Sequence, residues 1–208
     1  MRPARIVVSL CITVAAAGLC ACGDKAGPGD LGPAVGTPAA GAPAAKDSAA
    51  SAHFGAGCGA VPSGGPGSFE GMAADPVATA ASHNPVLSMF SDAVKKANLF
   101  DSLNGAQSIT VFAPANAAFQ KLPTDTLNGI LADNARLSEL LNYHVVSRRI
   151  APAELEAGNF TSLAGATLST SGSGQDFRIN GVPITCGNVQ TANATVYIID
   201  SLLMPPGH

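Results

Sequence analysis

Tryptophan is absent, aromatic residues make up 5% of the chain, and charged residues only 12%, about half the usual share of charge. Eleven Lys and Arg stand against 14 Asp and Glu, a net charge of −3 over 208 residues. With no basic surplus to neutralise phosphates and few rings to stack on bases, nucleic acid is excluded as a partner. The signatures of common catalytic sites are missing as well: there is no Gly-x-Ser-x-Gly, His-Glu-x-x-His, Cys-x-x-Cys or EF-hand pattern. The four histidines (His53, His83, His144, His208) are scattered. No catalytic residue, cofactor or metal site is expected from this inventory.

Long apolar runs are also lacking, with one exception at the start. Arg2 and Arg5 precede Ile6–Leu19, which is apolar apart from Ser9, Cys11 and Thr13. That run is too short for a permanent membrane span and fits the core of an export signal. It ends in Leu19-Cys20-Ala21-Cys22, which resembles a bacterial lipobox, with Cys20 a slight departure at the intermediate position. Residues 1–21 are therefore read as a lipoprotein signal peptide and Cys22 as the lipidated residue. The alternative is an ordinary secretory signal that happens to end near a cysteine. Two or more acyl chains hold a protein on a bilayer stably, so the membrane is the expected partner of this end. The expected location is the extracytoplasmic face of the cell membrane, with part of the protein released.

What the sequence has in excess is glycine (23) and proline (15), and much of it follows Cys22. Between Gly23 and Gly57 lie 8 Gly, 4 Pro and 11 Ala, and the only large apolar residues are Leu31, Val35 and Phe54. Such a stretch buries too little to offset the entropy of ordering it. Residues 22–57 are read as a lipidated cysteine and a disordered tether, and 58–208 as the folded domain.

Of five cysteines, Cys11 and Cys20 leave with the signal and Cys22 is acylated. Cys58 and Cys186 remain, an even pair in an exported protein, and a disulfide is expected between them. A metal site is the rival reading, but it lacks histidine partners at workable spacing.

Within the domain, helical signals come first. Asp75-Pro76 and Asn84-Pro85 each read as an N-cap followed by proline at the first helical position. Leu87, Phe90 and Val94 recur at helical spacing and end at Lys95-Lys96. Leu99, Phe100 and Leu103 suggest a further short turn. Thr124 and Asn134 are candidate caps for two more helices, the second carrying Leu137, Leu140 and Leu141 on one face. Ile109–Phe112 reads as a buried strand stopped by Pro114. Later segments are short strands between Gly, Ser and Asn: Phe160–Leu163, Thr167–Thr170, Phe177–Ile179, Val182–Ile184, Val189–Thr191 and Thr195–Ile199. The last does not alternate, so both its faces should be buried. Helices early and strands late argue for α+β and against a parallel βαβ sheet.

Three segments then stand in register: Ile109-Thr110-Val111-Phe112-Ala113-Pro114-Ala115-Asn116-Ala117-Ala118-Phe119, Leu140-Leu141-Asn142-Tyr143-His144-Val145-Val146, and Ala194-Thr195-Val196-Tyr197-Ile198-Ile199-Asp200. Together they resemble the fasciclin (FAS1) domain family over about residues 70–206. The Cys58/Cys186 pair and the run Val189–Thr195 are similar to a narrower mycobacterial group of secreted and lipid-anchored immunogenic antigens. The resemblance implies the FAS1 fold, a wedge-shaped β-sandwich with a helix cluster in its N-terminal half. It also implies an association with cell adhesion, with a host-cell surface or extracellular-matrix protein as partner. Fold alone does not fix function. Ala115-Asn116 departs from the Thr-Asp or Thr-Asn of many members; Asn116 is still expected to accept a backbone hydrogen bond at a strand-to-helix corner.

Tyr143 and His144 are the candidate partner-binding residues, since this pair is tied to receptor contact in animal relatives. Bottom-up, His144 continues the 137, 140, 141 face into the core, which favours a structural histidine. Asp200 is expected to accept backbone hydrogen bonds. Asn159 and Asn193 head Asn-x-Thr sequons, which a bacterial lipobox argues against using. The functional expectation is an outward-facing, non-enzymatic surface protein mediating adhesion. Its rivals are a small-ligand or glycan carrier and a passive immunogenic lipoprotein. Oligomeric state is not specified by the sequence.

Overall fold

The computed structural model describes residues 52–205; the stretch expected to be a signal peptide, Cys22 and most of the expected tether lie outside that range. Helices α1 (Phe69–Ala74), α2 (Val77–His83), α3 (Ser88–Lys96) and α4 (Phe100–Gly105) come first. Strand β1 (Ile109–Pro114) follows, then α5 (Asn116–Gln120), α6 (Thr124–Ala132) and α7 (Asn134–Tyr143). The rest is β2 (Val145–Val146), β3 (Asn159–Thr161), β4 (Thr167–Ser173), β5 (Asp176–Ile179), β6 (Val182–Gln190) and β7 (Ala194–Ile199). Helices thus come mostly before the strands, the α+β order that the sequence suggests.

The strands form one sheet in the order β2-β1-β7-β6-β5-β4-β3. It curls until its ends meet: Val146 bridges Ser162, and the Leu163 amide donates to the Val145 carbonyl at 2.8 Å. Every pairing is antiparallel except β1 with β7, which run parallel with Val111 opposite Val196. One parallel pair is thus embedded in the sheet, joined through nearly the whole domain and not by a single crossover helix.

Both central strands are buried along their full length, because each faces two cores. Ile109, Val111, Ala113, Ala194, Val196 and Ile198 face the helices and pack with Phe90, Val94 and Leu137. Phe112, Tyr197 and Ile199 face the inside of the curled sheet and meet Phe160, Leu168, Phe177 and Ile179. Two-sided burial explains the unbroken apolar run at Val196–Ile199.

Several local expectations were met from elsewhere in the chain. Asn84 does cap the turn at Pro85, accepting from the Val86 amide at 2.9 Å. Asp75 does not cap α2; it pairs with His83 at 3.0 Å. The first amides of α2 are satisfied instead by Asn193 Oδ1 (Val77, 2.8 Å) and Asn104 Oδ1 (Ala78, 3.0 Å). The cap of α7 is Asp133, one residue before Asn134, accepting from Ala135 and Arg136. Val182–Ile184 and Val189–Thr191, read as separate strands, fall largely in one continuous strand. Register shifts around Cys186 and left-handed Asn188 (φ 60°) break its alternation.

Cys58 and Cys186 are joined by a disulfide, with Cα atoms 4.7 Å apart and a sequence separation of 128. The ordered body begins before this staple, within what was read as tether. Phe54 bridges Gly187 with two backbone hydrogen bonds, 3.3 Å from its amide and 2.8 Å to its carbonyl. Its ring is buried against Phe177 and Tyr197. Glycine and alanine neighbours hid this segment, since composition carries no information about one anchoring ring. Burying Phe54 contributes about 1.5–3 kcal/mol and each hydrogen bond about 1 kcal/mol.

Candidate functional site

Neither Tyr143 nor His144 reaches the surface. α7 runs into β2 through this pair, and the chain turns inward at both side chains. His144 is wholly enclosed. Its Nδ1 lies 2.8 Å from the Leu140 carbonyl, and its Nε2 accepts from the Leu203 amide at 3.0 Å. Those partners assign the proton to Nδ1 and leave the ring neutral. Burial pushes the imidazole pKa down from 6.5 to about 4, against a smaller opposing effect of the Leu140 carbonyl. His144 therefore pins the C-terminal segment to the end of α7.

Tyr143 points the other way, into the core of the curled sheet, and its hydroxyl accepts from Asn180 Nδ2 at 2.8 Å. Consecutive residues at a helix end diverge by roughly 100°, which sends one ring to each side of β1. Both side chains are buried and hydrogen-bonded inside the domain, which gives the pair two internal structural roles.

The same enclosure holds for Tyr197. Its hydroxyl donates to the Ile150 carbonyl at 2.7 Å, and burial pushes its pKa up, well out of the physiological range. Thr110 accepts from the Ile150 amide and donates to the Arg148 carbonyl. The polar residues that sequence reasoning left without a role include Asn193. Besides capping α2, its Nδ2 donates to the carbonyls of Leu103 (2.8 Å) and Ala106 (2.8 Å). It ties β7, α2 and the end of α4 together, and its burial keeps it from serving as a glycosylation acceptor. The run Val189–Thr195 contained the signal, but only the assembled fold shows the partners. Asn116 accepts from the Met89 amide at 2.9 Å and donates to the Pro85 carbonyl. It thus joins two helical segments and does not cap α5. Asp200 is half-exposed and pairs with Lys121 at 2.6 Å, in place of the expected backbone contacts.

Among the described residues no group of three or more His, Cys, Asp or Glu side chains converges on a metal-sized site. No described helix is long and apolar enough to cross a membrane. Between α6, α7 and the C-terminal segment lies an open groove of about 670 Å³. Its lining mixes apolar Ile130, Leu140 and Met204 with charged Asp125, Arg136 and Glu139.

The Fasciclin domain model matches residues 85–205. A cell surface glycolipoprotein of Mycobacterium tuberculosis, MPT83, is 48% identical over 147 residues, covering 68% of this chain and 66% of its own length. The immunogenic protein MPB70 of Mycobacterium bovis is 45% identical over 147 residues, covering 68% of this chain and 75% of its own length. Among solved structures, the FAS1 domain pair of the insect cell adhesion molecule fasciclin I aligns with a TM-score of 0.47 at 22% identity. It covers 57% of this chain and 45% of that one. The alignment to the glycolipoprotein stops just short of two thirds of that relative. With its three motif segments folded into two central strands and the α7–β2 junction, the chain belongs to the fasciclin domain family.

Proposed function

We propose that this is a lipid-anchored fasciclin protein displayed outward from a bacterial envelope, binding a host-cell or matrix protein through its folded surface. The observation that carries the binding reading is the fate of the reactive side chains. Tyr143, His144 and Tyr197 are enclosed and hydrogen-bonded, which leaves strand edges, loops and isolated apolar side chains such as Leu163 and Met204 to meet a partner. The surface reading draws support from the relative named a cell surface glycolipoprotein and from the lipobox ending at Cys22.

The test is saturable binding of the full-length Cys22→Ser protein, labelled on lysine, to host cells and matrix proteins. Saturable binding above an albumin control, displaced by unlabelled protein, is the expected result. Adsorption indistinguishable from albumin would contradict it. One feature favours a second reading, a carrier of small amphiphiles: the α6–α7 groove combines apolar with charged lining. Native mass spectrometry of protein taken from the envelope separates the two, since a carrier retains a bound small molecule.

A further inference from the structure

The segment from Ala52 to Gly57 lies across β6 as a strap, paired with it at Phe54 and turning into a short 3-10 helix from Ala56, and its contacts are unusually close. A side chain at Gly187 would collide with the Phe54 ring at 2.0 Å. One at Gly55 would meet the Thr185 carbonyl at 2.3 Å, and one at Gly57 the Thr185 side chain at 2.8 Å. Gly55 also takes φ +101°, a conformation closed to most residues. Three glycines thus let two backbones touch with one aromatic ring between them. Side-chain contacts flank the ring: His53 Nδ1 lies 3.1 Å from the Asn188 carbonyl, and Asn188 Nδ2 donates to the Ala52 carbonyl at 3.2 Å.

The strap covers an edge. β5 pairs with β6 only at Val182 and Pro183, so beyond that point the outer side of β6 has no neighbouring strand of the main sheet. Gly187 finds its antiparallel partner in Phe54 alone. Without the strap, β6 would present an unpaired amide and carbonyl beside a socket floored by Phe177 and Tyr197. That combination is the chemistry of strand addition, in which backbone hydrogen bonds supply affinity and a pocket for one side chain supplies choice.

We propose that residues 52–57 are a detachable strap over a latent strand-addition site on β6. The site accepts an extended partner peptide that places an aromatic side chain, followed by glycine, where Phe54 now sits. This names a binding mode for the partner-binding function proposed above and rests on that reading. The strap is held by one backbone pair, one buried ring and the contacts of His53 and Asn188, few enough to exchange, and the disulfide at Cys58 keeps the displaced segment attached.

The probe is a fluorescent peptide of the strap sequence, Ser-Ala-His-Phe-Gly-Ala-Gly, titrated against the full-length Cys22→Ser protein and its Phe54→Ala variant. The variant should bind at least tenfold more tightly than its parent. Replacing the peptide's phenylalanine by alanine, or adding Gly187→Ala to the protein, should remove that gain. Equal binding by parent and variant, with circular dichroism showing the variant folded, would overturn the proposal. Dimers of the variant with no peptide capture would also overturn it, by giving the edge to a second copy. If Phe54→Ala fails to fold, hydrogen exchange on the parent decides: the Phe54 and Gly187 amides should exchange at least tenfold faster than those of β1 and β7, and equal protection would reject a detachable strap. Loss of cell binding with peptide capture intact would instead count against the host-partner reading alone.

Discussion

His144 holds two hydrogen bonds in a place no water reaches, and its ionisation is tied to folding. The native ring resists protonation until about pH 4, while the unfolded ring takes up a proton near 6.5. The unfolded state therefore binds more protons between those values, and stability falls as pH drops through that window. At about 1.4 kcal/mol per pH unit, about 3 kcal/mol is lost from this residue by pH 4. Urea unfolding at pH 7, 5.5 and 4 should show this slope in the parent and a flatter one in His144→Ala. That variant should also lose about 2–4 kcal/mol at pH 7, because the Leu203 amide is left buried without an acceptor. An unchanged midpoint would contradict the staple. Asn193→Ala should cost a comparable amount, since it strands the Val77 amide and two carbonyls at once. The inward direction of His144 was legible from its place on the 137, 140, 141 face. Its acceptor role toward Leu203 was not, because that partner lies 59 residues away.

At the scale of elements, apolar pattern located most of what mattered. β1, β7, α3 and α7 stand where periodicity put them, and the non-alternating run of β7 announced its two-sided burial. Composition-based reading failed where one residue outweighs its neighbours, as at Phe54 in a Gly/Ala stretch and at the bulge of β6. Caps were misplaced wherever a distant asparagine supplied them, as Asn193 and Asn104 do for α2. The disulfide ties β6 to the segment before α1 across a loop whose closure entropy corresponds to about 5 kcal/mol as an upper figure. Reduction should lower the urea midpoint without abolishing the transition, since the core packed between the helices and the sheet does not depend on the strap. Equal midpoints for oxidised and reduced protein would show that the bridge adds nothing. By contrast Lys121→Ala, which removes the exposed pair with Asp200, should change stability by less than about 1 kcal/mol.

For the whole molecule, the fold was legible because three motif segments occupy the two central strands and the α7–β2 junction, where packing tolerates least change. The proposed binding site on β6 was not legible for the complementary reason: the side chains that drew attention are those the core consumes, and a backbone amide and carbonyl leave no periodic trace in sequence. The proposed function depends most on what happens at Cys22, the cysteine proposed to carry the acyl anchor. Metabolic labelling with palmitate in a mycobacterial expression host, comparing the natural chain with Cys22→Ser, tests it in one experiment. The natural chain should carry label in the membrane fraction, and the variant should be unlabelled and released. Equal labelling of both, or an unprocessed natural chain found in the cytosol, would contradict the account.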